Sequence, residues 1–119
     1  MKMKEKLIKY SHDGDFPKKA GVYILVNQKN GKVYIGCTRS VRARIASHRS
    51  LLLSGRHYSE ELQRAFDKDY LGVTVLALIP HANQQLLREA ERLFIQSAPY
   101  LFPSGIINKR LVNYSNYKR

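Results

Sequence analysis

The stretch "GVYILVNQKNGKVYIG", residues 21 to 36, constrains the fold more than any other part of the chain. Two short runs rich in Val, Ile and Tyr flank "NQKNG", and Asn30-Gly31 supplies residues that tolerate positive φ. Runs of this kind around such a turn predict a β-hairpin, with strands over 22–26 and 32–35 and Gly36 ending the second. Alternate side chains of a strand share a face. Val22, Ile24 and Val26 fall on one side and Tyr23 with Leu25 on the other, while Val33 and Ile35 oppose Tyr34. Pairing Val26 with Val33, or a register slipped by two residues, leaves both tyrosines on one face. Two tyrosines so placed are either packing or half of a chemical centre.

The pattern turns helical over 40–53, where Val41, Ile45 and Leu52 recur at spacings of four and seven. Arg42, Arg44, His48 and Arg49 fill the remaining surface of that helix. "SGRHY" reads as a loop, after which Ser59 caps the short helix "EELQRAFDKDY". "VTVLALI" (73–79) is apolar on both faces, which predicts a covered, central strand ended by Pro80. Asn83 then caps a helix over 84–97 that stops before Pro99. Residues 1–19 form a polar leader and 98–119 an irregular, aromatic, basic tail. The order hairpin, helix, helix, strand, helix predicts an α+β fold in a single domain over 1–119, a small antiparallel three-stranded sheet flanked by helices.

Charge narrows the partners. The 21 Lys and Arg against 9 Asp and Glu give a net +12, the footprint of a domain that meets a polyanion, most often nucleic acid. The single cysteine, Cys37, forms no internal disulfide and points to a reducing compartment. No apolar run approaches the ~18 residues of a membrane span, so no membrane partner is expected and a cytoplasmic location is.

One residue breaks its helical pattern. At 100° per residue, Leu86, Leu87, Ala90, Leu93 and Phe94 form an apolar arc, opposed by Gln85, Glu89, Arg92 and Gln96. Glu91 projects between Leu87 and Ile95, on the shoulder of the arc. A carboxylate there needs a cation, hydrogen bonds or a metal, or else snorkels or pairs with an Arg of the first helix.

Taken in order, "GVY" (21–23), "YIG" (34–36), Arg44, His48, His57 and "ERLFI" (91–95) resemble the GIY-YIG nuclease superfamily, in particular the catalytic domains of phage-type homing endonucleases. An Asn near the end of the motif series best matches Asn113, with Asn108 as the rival. The resemblance implies an endonuclease that hydrolyses DNA phosphodiester bonds with one Mg²⁺ (or Mn²⁺), held by Glu91 as sole protein ligand. A single carboxylate suits Mg²⁺, which keeps several of its waters. It further implies that Tyr23 aligns or deprotonates the attacking water, with its phenol pKa of ~10 lowered by neighbouring cations. Arg44 would supply fixed positive charge to phosphate, His48 would assist Tyr23 or relay a proton, Tyr34 would position phosphate or water, and Asn113 would brace the site. His57, Arg39, Arg42 and Arg49 are expected to bind substrate. No DNA-reading module is legible beside these motifs, which favours recognition of shape, a homodimer on duplex DNA, or a separate DNA-recognition partner. A phage or mobile-element origin would put the protein in the host cytoplasm, and otherwise at the nucleoid. The rival functions are a structure-specific repair or recombination nuclease and a catalytically weak nucleic-acid-binding module.

Overall fold

The computed structural model describes residues 16–108. Along them run β1 (Gly21–Asn27), β2 (Val33–Thr38), α1 (Val41–Leu53), α2 (Glu60–Asp67), β3 (Leu71–Leu78) and α3 (Gln84–Leu101). The hairpin turn closes through the Gly31 amide, which donates to the Asn27 carbonyl at 2.8 Å, with Gly31 at φ +81°. The Asn27 side chain accepts from the amides of Lys29 and Asn30, so the turn is fixed from within. Val26 faces Val33 and Leu25 faces Tyr34 across the hairpin. Tyr23, Leu25 and Tyr34 consequently pack on one face, as the alternation predicts.

The three strands are antiparallel in the order β2-β1-β3. The central strand is therefore β1, not the segment over 73–79. β1 is buried nearly end to end, whereas β3 is buried only over its first three residues and rises to half-exposed and exposed beyond them. The apolarity of β3 reflects the helices above it at one end, not a neighbour on each side. β2 also runs through Gly36 to Thr38, because Gly36 lies opposite Tyr23 and makes room for its ring instead of ending the strand.

Helices cover both faces. On one, α1 and α2 enclose Tyr23 and Leu25 with Val41, Ile45, Leu52, Leu62 and Phe66. On the other, α3 covers Val22, Ile24, Val33 and Ile35 through Leu87, Ile95 and Ala98. Ser40, Ser59 and Asn83 cap the three helices, their side chains accepting from the amides of Ala43, Leu62 and Leu86. The buried row of α1 is Val41, Ile45, His48 and Leu52, so His48 belongs to the core row and not to the surface.

α3 departs from its predicted limits in two ways. It continues through Pro99 to Leu101: the proline removes one donor in the last turn, and the Phe102 amide closes the helix onto the Ala98 carbonyl at 2.7 Å. Its apolar face is also rotated. Leu86 and Leu93 are 49% and 55% exposed while Leu87, Ile95 and Ala98 are buried. Glu91, half-buried, thus lies within the packed row, one turn from both Leu87 and Ile95.

Part of the predicted irregular tail joins the sheet. The Val33 amide donates to the Gly105 carbonyl, the Ile107 amide donates to the Val33 carbonyl, and Ile106 pairs with Val33 in a parallel bridge. Residues 1–15 and 109–119, including Asn113, lie outside the described residues. No helix among the described residues is long and apolar enough to cross a membrane.

Candidate active site

The face of the sheet that carries both tyrosines is also where α1 places its polar residues. Arg44 and His48 are four residues apart and so share a side of α1. The loop after α1 brings His57 and Tyr58 over them. The result is one contiguous cluster of Tyr23, Tyr34, Arg44, His48, His57 and Tyr58.

Hydrogen bonds run through this cluster with a definite polarity. The Ser59 amide donates to His57 Nδ1 at 3.0 Å, so that nitrogen is unprotonated and His57 carries its proton on Nε2. His57 Nε2–H then donates to His48 Nδ1 at 2.9 Å, leaving the His48 proton on Nε2. His48 Nε2–H donates in turn to the Tyr23 hydroxyl oxygen at 2.7 Å. One backbone amide, fixed where Ser59 caps α2, therefore sets two tautomers and the direction of the bond at Tyr23. His48 cannot accept the Tyr23 proton in this arrangement; it can only donate to the phenol oxygen.

The same chain keeps both imidazoles neutral. Burial, with the Arg44 charge and the other imidazole adding to it, lowers His48 to about 3. Burial and Arg44 lower His57 to about 4. Both values lie below the ordinary 6.5, so the signs agree: unfolding takes up protons below that pH. Stability from these groups is complete above about pH 6.5 and is lost as pH falls toward 4 and 3. The slope approaches ~1.4 kcal/mol per pH unit for each histidine. Urea unfolding at pH 7, 6 and 5 measures this. Equal stabilities at pH 7 and 5 would contradict buried neutral histidines.

Tyr23 differs from expectation. It is 1% exposed, and burial holds its phenol well above 10, outweighing Arg44 beside it. Neighbouring cations do not lower it in the free protein, because desolvation of a phenolate exceeds what one guanidinium returns. Burial likewise raises Tyr34, with Tyr58 adding to it. For Arg44, burial works against the charge, but the oxygens of Tyr23, Tyr58 and Tyr34 more than offset it.

The expected substrate-binding residues divide. His57 is 7% exposed, and both its ring nitrogens are engaged within the protein, one by the Ser59 amide and one by His48. The Arg42 Nε donates to the Phe16 carbonyl at 2.7 Å and ties residue 16 to α1, an anchoring role. Arg39 is exposed just ahead of α1, and Arg49 is half-buried on it.

Glu91 approaches from α3, yet its charge is felt on both faces of β2. Burial dominates the raised pKa values of Tyr34 and Cys37, and the Glu91 carboxylate contributes to each. Among the described residues no group of three or more His, Cys, Asp or Glu could hold a metal. That excludes a closed site of several protein ligands among them. One carboxylate near a phenol fits a divalent ion that retains its own waters.

Two further residues carry structural weight here: Asn108, named in the sequence only as the rival of Asn113, and Tyr58, which no motif singled out. The Asn108 amide donates from Nδ2 to the Ile35 carbonyl and accepts at Oδ1 from the Ile35 amide, both at 2.9 Å. It thus extends the edge of β2 as another backbone rung would, between Tyr34 and Gly36. Tyr58 is the other, and its only signal was an exposed-looking aromatic beside a motif histidine.

A three-stranded antiparallel sheet with a tyrosine-bearing hairpin and helices on both faces is the fold of a small α+β catalytic domain, and the chain belongs to the GIY-YIG catalytic domain family, which it matches over residues 19–97. Its relatives include intron-associated endonuclease 1 of Enterobacteria phage T4, 34% identical over 80 residues, and UvrABC system protein C of Petrotoga mobilis, 28% identical over 88 residues. Those matches cover 66% and 72% of this chain but only 32% and 14% of the respective relatives. The structure of the catalytic domain of homing endonuclease I-TevI matches with a TM-score of 0.58 at 32% identity, over 66% of this chain and 87% of that one.

Proposed function

We propose that the chain is a divalent-metal-dependent endonuclease that hydrolyses DNA phosphodiester bonds, with Tyr23, Tyr34, Arg44, His48 and Glu91 at its centre. The observation that carries this reading is the Tyr23 oxygen, which accepts a hydrogen bond from the His48 Nε2–H and stands beside Arg44 in the cluster that also holds Tyr34. With its oxygen occupied by His48, the Tyr23 O–H is left to point at an incoming water or phosphate. Should Tyr23 give up that proton, the His48 N–H and the Arg44 charge are already in place to hold the phenolate. Arg44 supplies fixed positive charge where a pentacovalent phosphate gathers negative charge, and its planar fork suits phosphate oxygens. Tyr34 offers a second hydroxyl to phosphate or water. Glu91 would hold a divalent ion, which supplies charge neutralisation and support for the leaving oxygen. Asn108 holds β2 straight between Tyr34 and Gly36, the bracing role expected of Asn113.

One such centre cuts one strand at a time. We therefore expect nicking by a single copy, with double-strand breaks requiring a second copy or a partner. On supercoiled plasmid with Mg²⁺, nicked circles should accumulate before linear DNA, and excess chelator should stop both. Cutting that survives exhaustive chelation would overturn the metal requirement. Retarded mobility without cutting, with Mg²⁺ and with Mn²⁺, would leave a nucleic-acid-binding module.

A further inference from the structure

Tyr58 is 58% exposed, in the loop between α1 and α2. Its hydroxyl nonetheless turns inward: it accepts from Arg44 Nη2 at 3.1 Å and lies 3.3 Å from the Tyr34 hydroxyl. Its ring packs on His57 with centroids 4.2 Å apart. His57 is itself held between the Ser59 amide and His48, so the ring rests on a fixed support. An arginine side chain is long and rotamer-rich, and α1 alone does not choose its direction. We propose that Tyr58 is a positioning residue, its hydroxyl joining Arg44 to Tyr34 and its ring braced on His57, so that both groups are aimed before a phosphate arrives. The inference rests on the reading of Arg44 and Tyr34 as phosphate-facing groups.

Tyr58→Phe removes the hydroxyl and keeps the stacked ring. In the free protein, NMR of the arginine side chains should show slow rotation of the Arg44 guanidinium, made faster by Tyr58→Phe and by Tyr58→Ala. In single-turnover cleavage Tyr58→Phe should lower the rate about tenfold, the equivalent of one hydrogen bond at a charged group. Affinity for uncut DNA should stay within about twofold, because the charge on Arg44 remains. In an Arg44→Lys background, Tyr58→Phe should cause no further loss. Guanidinium rotation indifferent to Tyr58, a wild-type cleavage rate in Tyr58→Phe, or the same loss in both backgrounds each overturns the proposal. A wild-type chain that cuts no DNA refutes the nuclease reading instead, and the NMR comparison still decides whether Tyr58 holds Arg44.

Discussion

Replacing Gly36 with alanine lowers stability by about 2–6 kcal/mol, from overpacking of ~1–3 kcal/mol and a disrupted buried hydrogen bond of similar size. Gly36 faces Tyr23 across the hairpin, and a Cβ built there would overlap the Cζ, Oη and Cε1 atoms of the phenol. The ring has nowhere to go. It is 1% exposed, it sits in the core with Leu25, Val41 and Ile45, and its oxygen is bonded to His48 at 2.7 Å. Moving it means breaking that bond, and the His48 Nε2–H then loses its acceptor inside the core. The alternative is to shift β2, which the Ile35–Asn108 bonds resist. Against a typical total of 5–15 kcal/mol, a loss of this size is a large part of the fold's stability. Denaturant unfolding of Gly36→Ala measures it directly. Truncating the obstructing ring in the double variant Gly36→Ala/Tyr23→Leu should relieve the clash, so its loss should be smaller than the sum of the two single losses. A Gly36→Ala protein within about 0.5 kcal/mol of the parent, the range of an uneventful surface change, would show that the ring is not held as described.

The glycine also shows where sequence and structure part company. Its motif position was legible, but its reason was not: a strand-ending glycine and one that admits a ring from the neighbouring strand look alike in one chain. What depends on nearest neighbours in sequence was readable. Alternation put both tyrosines on one face in either of the two registers it allowed, of which Val26–Val33 is the one formed, and the caps at Ser59 and Asn83 need only a side chain and an amide three residues on. What depends on long-range packing was not. The apolarity of residues 73–79 suggested a central strand, but pairing across the two intervening helices puts β3 at the edge. His48 was placed on the surface because polar residues usually are, while its place in the Val41–Ile45–Leu52 row is bought by bonds to Tyr23 and His57. The raised acidity threshold of Tyr23 likewise follows from burial, which no spacing records. Tyr58 and Asn108 act through partners 14 or more residues away, such as Arg44 and Ile35.

Glu91→Gln should reduce cleavage at least about 1,000-fold, roughly 4 kcal/mol in the barrier, without lowering the melting temperature. The two halves of this expectation come from the same geometry. Glu91 stands one turn from Leu87 and one from Ile95 in the row that packs on the sheet. The amide of the same shape keeps the packing and most of the hydrogen-bonding capacity while losing the charge, so the fold is expected to stay level. The Glu91 charge reaches Tyr34, on the face where Arg44 and His48 gather, and that is the reason to expect a part in the chemistry. Removing that charge removes the group that would hold a divalent ion beside the phenols, while the Tyr23–His48–His57 chain is left intact. Paired measurement of rate and melting temperature separates the roles. A lost rate at unchanged or higher stability assigns Glu91 to the chemistry. A joint fall makes it a structural residue, and a surviving rate moves the metal elsewhere in the protein.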